Sequence, residues 1–442
     1  MSLIGDVLDL AALPDDALPG SALAFARLSL LDWLACGRAG VREPLAGKMR
    51  ELAALEGGRG VASLFGGGRA PARMAALVNG ATSHALDYDD THFAHVGHPS
   101  VAIFPSSLAV AEERGSDVGA VVRAFLVGAE ASVRIGVALG AAHYNRGFHQ
   151  TATAGAFGAT VAAGRLMGLT RDQMRVALGL CATRASGLKS QFGTMGKPYN
   201  AGIAASNGVE CATLAALGFT SCDDGLLDRQ GFLPTHSDAI DEAAAFRDPP
   251  PETFLFEAVK YKLHACCHGT HAMIEALLEA RRERGTAAEE VASLQVFTNP
   301  RWLSVCDIKR PRTGLEVKFS YAWLAGMALS DIDTARDATY TDRLAGDARL
   351  ADFATRVTVT GEDGLSDMQA RCSLTLRNNE TLTVTHDLAD PIRPEVLEQG
   401  LLRKAEALLG AAETAGIRAI ALEDAPETAT DLGRTIRGGD DT

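Results

Sequence analysis

The chain has 442 residues, roughly three times a ~150-residue domain, so two domains and a large buried core are expected. Its 47% hydrophobic and 22% charged residues describe a globular protein and exclude a disordered tail or a fibre. Forty-two Lys and Arg against 55 Asp and Glu give a net charge of −13, which argues against nucleic acid and membrane surfaces as partners and requires any anionic ligand to meet a local basic pocket.

Residues 1–10 lack a basic and a continuous apolar segment, and Asp6 and Asp9 argue against a transit peptide, so a cytoplasmic protein is expected. From about 20 to 220, apolar residues recur at helical spacing without alternating runs, which predicts helices over 22–36, 71–87, 118–140, 151–167 and 201–217. The most apolar stretch, 119–140, carries Arg123, Glu130 and Arg134, each unfavourable by roughly 3 kcal/mol at a bilayer centre, and is therefore expected to be a buried helix of a soluble fold. Thr170 followed by Gln173 reads as a capping box opening a further helix. Asp248-Pro249-Pro250-Pro251 is a stiff break suited to a domain joint.

Beyond it the period changes. Alternating runs predict strands over 291–298, 355–360, 370–377 and 381–387, the last two joined by a turn at Asn378-Asn379, with a helical pattern near 319–328 between the first strand and the rest. The expected architecture is mainly α with a smaller α+β part: an all-helical domain over 1–260, rejoined by 395–442, and an antiparallel-sheet lid domain over 262–395. From Pro394 the chain reads as helical again, then as a fraying polar tail. Eight scattered cysteines without a C-x-x-C pair read as reduced thiols.

Histidines cluster twice. His84, His92, His95 and His98 fall close together within an acidic stretch, and His264, His268 and His271 follow Lys262. If the helix 71–87 continues, Asp87 and Thr91 share a face, and His98-Pro99 must leave it. Three readings fit: a solvated acidic helix end, a metal site, or an acid/base site for a polycarboxylate. No H-E-x-x-H spacing supports a metal. Gly193-Thr194-Met195-Gly196-Lys197-Pro198 reads as a loop delivering a lysine just before a helix, where ammonium and free N–H groups together favour a carboxylate. His271 and Glu275 would share a helix face, and a core histidine is the plain alternative there.

The run Ser83-His84-Ala85-Leu86-Asp87-Tyr88-Asp89-Asp90-Thr91 with His98-Pro99-Ser100, then Gly196-Lys197-Pro198 with Gly202, Ala204-Ala205 and Gly208, then Lys262 with Cys267-His268-Gly269-Thr270-His271, resembles the MmgE/PrpD family. That family holds 2-methylcitrate dehydratases, cis-aconitate decarboxylases and iminodisuccinate epimerases. The resemblance spans about residues 10 to 400 and implies a homodimeric enzyme working without metal or organic cofactor. It places Asp87, His98, His149 and His271 among the catalytic residues and Thr91, Lys197 and Lys262 among the substrate-binding ones. One departure is Trp323 where relatives carry a tyrosine; Tyr321 stands nearby out of register, and indole cannot serve as a phenolic acid.

Taking a proton alpha to a carboxylate creates an unstable dianion, so a cofactor-free site must surround that carboxylate with Lys, His and hydroxyl donors. The expected function is a dehydratase-type lyase on a small di- or tricarboxylate. The alternatives are an epimerase of an imino- or hydroxy-dicarboxylate, a metal-dependent hydrolase, and an inactive helical scaffold. Asp87, Thr91, His98, His149, Lys197 and His271 are expected to line one cleft between the two domains.

Overall fold

The computed structural model describes residues 2–423 and 428–439; Met1 and the last residues of the tail expected to fray, 440–442, lie outside them. Contacts divide the chain into two compact units, Met1–Tyr261 with Leu409–Thr442, and Lys262–Leu408. The division therefore falls after Tyr261. The three prolines at 249–251 lie inside the first unit, and the helix Pro394–Leu409 belongs to the second, where Gly400 packs against Leu263.

In the first unit, α1 (Leu3–Ala11), α2 (Gly20–Gly40) and α3 (Pro44–Glu56) precede a short antiparallel pair, β1 (Ala62–Ser63) and β2 (Arg69–Ala70). This pair corrects the all-helical expectation. Gly66, Gly67 and Gly68 all have positive φ, and that turn folds the chain back on itself before a helix can start. Then come α4 (Ala72–Ser83), α5 (Pro99–Arg114), α6 (Val118–Arg146), α7 (Gln150–Met167), α8 (Arg171–Arg184) and α9 (Gly196–Ala216), followed by the short α10 (Phe232–His236) and α11 (Glu242–Ala245).

Residue choice explains the helix starts. Pro99 opens α5 at a position whose N–H would lack a partner anyway, and the Thr170–Gln173 capping box opens α8. Among the described residues, α6 is the one helix long and apolar enough to cross a membrane, and 83% of its most apolar window is buried in the fold. Its Glu130 and Arg134 pair at 2.6 Å in the interior, with Arg134 also donating to the Ala245 carbonyl. Close helix approach depends on glycine: a Cβ on Gly80 of α4 would lie 2.8 Å from the Gly202 Cα of α9, and one on Gly202 would lie 2.3 Å from the Leu77 carbonyl oxygen.

Two local expectations fail at the end of α4 and the start of α9. Helix α4 stops at Ser83, and Asp87 takes φ +50, so Asp87 and Thr91 are not helical neighbours. Lys197 is not on a loop; it lies in the first turn of α9, which begins at Gly196.

The second unit contains α12 (His271–Arg284), β3 (Val291–Thr298), the short helices α13 (Leu303–Cys306), α14 (Gly314–Val317), α15 (Tyr321–Leu329), α16 (Asp342–Ala345) and α17 (Ala348–Ala354), then β4 (Val357–Gly361), β5 (Gln369–Leu376), β6 (Thr381–Asp387) and α18 (Pro394–Leu409). The strand order is β4-β3-β5-β6. β5 pairs antiparallel with both neighbours, but β4 runs parallel to β3, which corrects the purely antiparallel sheet. The long connection through α13 to α17 permits this, since parallel strands need a crossover that a tight hairpin cannot supply. On β5, Ala370, Cys372 and Leu374 alternate inward. Asn379, at φ +65, carries the β5–β6 turn. Helix α12 packs on β5, β6 and α15. The chain then re-enters the first unit, where α19 (Ala411–Leu422) packs on α2 through a 2.5 Å Arg38–Glu413 pair, and α20 (Ala429–Arg437) follows. All eight cysteines are free thiols.

Candidate active site

Three helices of the first unit begin at candidate residues. His98 is the N-cap of α5, His149 is the N-cap of α7, and Lys197 sits in the first turn of α9. The proline after His98 forces that residue out of helical geometry, and its N–H is held by the Thr151 hydroxyl at 3.0 Å. The His149 N–H is held by the Gly187 carbonyl. Each helix start carries unsatisfied N–H groups and the positive end of a dipole.

The side chains meet around Asp87. Lys197 Nζ lies 2.6 Å from Asp87 Oδ2, and His98 Nε2 lies 3.7 Å from Asp87 Oδ1. Asp87 is 43% exposed while Lys197 and His98 are largely buried, so the carboxylate is the solvent-facing member. The Lys197 ammonium also stands 5.2 Å from the centre of the Phe192 ring, and that ring meets His149 edge-on at 5.0 Å. His149 stacks at 6.0 Å on His84 and has Asn200 Nδ2 3.3 Å from its Nδ1. Burial first, then the Lys197 charge and the His84 and His98 rings, hold the His149 imidazole well below its ordinary value. A neutral imidazole thus stands beside a positive ammonium.

Behind this group lies a buried acidic pair. Asp89 Oδ1 lies 2.8 Å from His84 Nδ1 and Asp89 Oδ2 lies 2.9 Å from His98 Nδ1. Burial alone would push the Asp89 carboxyl up, but the two imidazoles more than reverse this and hold it well below the usual range. Asp90 behaves oppositely. Burial pushes it up to about 8, helped by Asp32 and Asp89 and opposed by its hydrogen bonds from the Ser100 hydroxyl (2.6 Å) and N–H (3.2 Å). Thr91 forms a short antiparallel bridge with Lys260, and its hydroxyl donates to the Lys260 carbonyl at 3.5 Å.

The second unit has its own histidine cluster at the start of α12. The His271 ring lies 5.0 Å from His264 and 4.6 Å from His268, and its Nε2 is buried without a hydrogen-bond partner. Burial, His268, His264 and Lys262 together hold His271 well below its ordinary value. Glu275 accepts from His264 Nε2 at 3.0 Å. Lys262 is buried. Tyr321 donates to the Gly269 carbonyl at 2.7 Å, and burial raises its phenol. The Trp323 indole is buried, with its N–H toward the Leu344 carbonyl.

Two domain families match the sequence: the MmgE/PrpD N-terminal domain over residues 10–242 and the MmgE/PrpD C-terminal domain over 264–424. The chain belongs to the MmgE/PrpD family. A protein of Aspergillus terreus named cis-aconitate decarboxylase is 32% identical over 285 residues, 61% of this chain and 58% of that protein. The human cis-aconitate decarboxylase is 35% identical over 158 residues, 34% of this chain and 32% of its own, and the mouse protein of that name is 33% identical over 158 residues, again 34% and 32%. The chain spans less than two thirds of the length of these curated relatives.

In this MmgE/PrpD chain, His98 and Lys197 both meet Asp87 and His149 adjoins them, whereas Thr91 pairs with Lys260. His271 and Lys262 belong to the second unit. Sequence reasoning missed Asp89, Asn200 and Phe192, and placed His84 in the first histidine cluster without a role of its own. Helical spacing would not have found Asp89 facing His84, because the chain turns at Asp87 between them. Among the described residues, His84, Asp87, Asp89 and His98 bring one donor atom each within 4.8 Å, a grouping able to hold a cation. These donors are paired with one another and with Lys197, which already supplies positive charge at Asp87.

Proposed function

We propose that this protein is a lyase acting on a small di- or tricarboxylate by proton transfer at a carbon alpha to a carboxylate, without metal or organic cofactor. The observation that carries the reading is the meeting of three helix starts, with Lys197, His98 and His149, around one half-exposed carboxylate in a protein of net charge −13. Such a site concentrates positive potential where a substrate carboxylate would dock. The relatives' name, cis-aconitate decarboxylase, supports the substrate class.

In this reading Lys197 and the helix N–H groups stabilise the charge that develops on the substrate carboxylate, and Thr91 adds a hydroxyl donor. His98 Nε2 carries the proton. His149, kept neutral, receives or returns a second one. In dehydration the alpha proton leaves, the electron pair forms the alkene and the hydroxyl departs as water. In decarboxylation the C–C bond to CO2 breaks, the pair delocalises toward the remaining carboxylate, and an imidazolium protonates the carbon. His271 and Lys262 of the second unit act as a further proton carrier and a further carboxylate partner, and the proposed assembly is a homodimer.

The test is a panel of cis-aconitate, 2-methylcitrate, citrate, malate, tartrate and imino-dicarboxylates in heavy water, followed by NMR. Alkene formation or CO2 release with deuterium at the alpha carbon is the expected result. Deuterium uptake with inversion and neither product marks the epimerase. Silence from the whole panel, with turnover of an ester or phosphate, overturns the reading.

A further inference from the structure

We infer that Asp89 is the positioning residue behind His98: the Asp90 carbonyl keeps Nδ1–H on the buried side and Nε2 toward the substrate side, and the Asp89 carboxylate supplies the buried negative charge that steadies the ring when it takes a second proton. The kinetic part of this inference deepens the proposed lyase reading and rests on it; the tautomer part does not.

The geometry runs through acceptors only. His98 Nδ1 is 2.7 Å from the Asp90 main-chain carbonyl and 2.9 Å from Asp89 Oδ2. The carbonyl has no hydrogen to give, so Nδ1 must carry the hydrogen and donates it to the Asp90 carbonyl, while Asp89 Oδ2 makes no hydrogen bond of its own and sets a buried carboxylate beside that N–H. In the neutral ring the lone pair then belongs to Nε2, the nitrogen that faces Asp87, whose other oxygen is held by Lys197. The other Asp89 oxygen accepts from His84 Nδ1 at 2.8 Å, and the two rings lie 4.6 Å apart. His84 therefore locks the orientation of the carboxylate that faces His98. Its own Nε2 is buried with no hydrogen-bond partner, which leaves holding Asp89 as the polar contact this side chain makes.

The arrangement has the logic of a nucleophile-free catalytic dyad. When Nε2 takes the substrate's alpha proton, the ring becomes an imidazolium whose second N–H remains on the Asp89–Asp90 side, where a fully buried carboxylate stabilises the new charge. When the proton returns to carbon or to a leaving hydroxyl, the ring reverts to the same tautomer. Asp89 does not itself gain the proton. Because its side chain is completely buried, it touches no substrate and acts through His98 alone.

The test combines tautomer and kinetics on the full chain. Nitrogen-15 histidine NMR, with the His98 signal assigned by its loss in His98→Gln, should show hydrogen on Nδ1 in the wild type. In Asp89→Asn the Asp90 carbonyl still accepts from Nδ1, so the tautomer should persist while kcat falls about 10²–10⁴-fold and KM stays within about threefold. Asp89→Glu, which restores the charge, should recover part of the kcat. A wild-type His98 with hydrogen on Nε2 overturns the inference, even if no variant folds. So does a folded Asp89→Asn that keeps the wild-type kcat. If the panel of polycarboxylates shows no turnover while wild-type His98 carries its hydrogen on Nδ1, the lyase reading fails and the orientation of His98 stands.

Discussion

Lys197 places its ammonium 2.6 Å from the Asp87 carboxylate, joining the first turn of α9 to a loop residue held at φ +50. The left-handed backbone is unfavourable by roughly 1–2 kcal/mol for a residue with a Cβ, although Asp tolerates it better than most. Strain of this kind concentrates where a fold must aim a side chain. In the proposed reaction a substrate carboxylate competes with Asp87 for Lys197. Lys197→Ala should therefore lower kcat/KM for the responsive polycarboxylate by roughly 10–150-fold, the equivalent of about 1.5–3 kcal/mol for a charge-assisted hydrogen bond. Steady-state kinetics with an unchanged kcat/KM would remove Lys197 from the site.

His98→Ala removes the proposed proton carrier. Deuterium uptake at the alpha carbon should drop about 10²–10⁴-fold while the fold, read by circular dichroism, persists, since His98 is an N-cap whose side chain makes no cap bond. His271→Ala is expected to reduce the same uptake. Wild-type exchange rates in either variant would free that histidine from proton transfer.

Metal removal should leave the rate unchanged. The donors His84, Asp87, Asp89 and His98 lie within 4.8 Å of one another, so the expectation needs direct measurement. The check is elemental analysis of the purified protein before and after prolonged chelation, with activity alongside. Stoichiometric zinc or iron whose loss abolishes turnover would favour metal-dependent chemistry.

Asp90 gives a pH signature. Its carboxyl is raised from 3.8 to about 8 in the folded chain, so between those values the folded state holds a proton that the unfolded state has released. Stability then falls as pH rises across that interval. Asp90→Asn keeps the contacts with Ser100 and removes the titration. Its gain in melting temperature over wild type should be larger at pH 8 than at pH 5 by calorimetry, and an equal gain at both would show that Asp90 does not hold a proton.

The buried histidines act in the opposite direction. Burial lowers His92 and His143 from 6.5 to about 4 and His95 to about 3. Below 6.5 the unfolded chain takes protons that the folded chain refuses, so stability is full above that value and is lost as pH falls toward about 3–4. Urea midpoints should drop between pH 7.5 and pH 5. The drop should be smaller in His143→Gln, and a pH dependence of the midpoint that is the same in His143→Gln as in wild type would contradict a buried neutral His143.

Much was legible in the residues themselves. Pro99 decided that His98 would leave the preceding segment and cap a helix, Thr170 with Gln173 decided a helix start, and Asn378-Asn379 decided a hairpin turn. These are interactions among near neighbours, whose steric and hydrogen-bonding terms the local sequence contains. The motif order was enough to reveal the family. Tertiary structure decided the rest. Helix α4 ends early and Asp87 turns left-handed because the loop must reach Lys197, and that reach depends on two glycines, Gly80 and Gly202, letting α4 and α9 meet backbone to backbone. The parallel placement of β4 beside β3 was equally hidden, since a strand's own alternation does not name its neighbour. Asp89 was the least legible of all: its role comes from facing two imidazoles in the buried interior, and burial and distance are properties of the packed chain that no spacing along the sequence records.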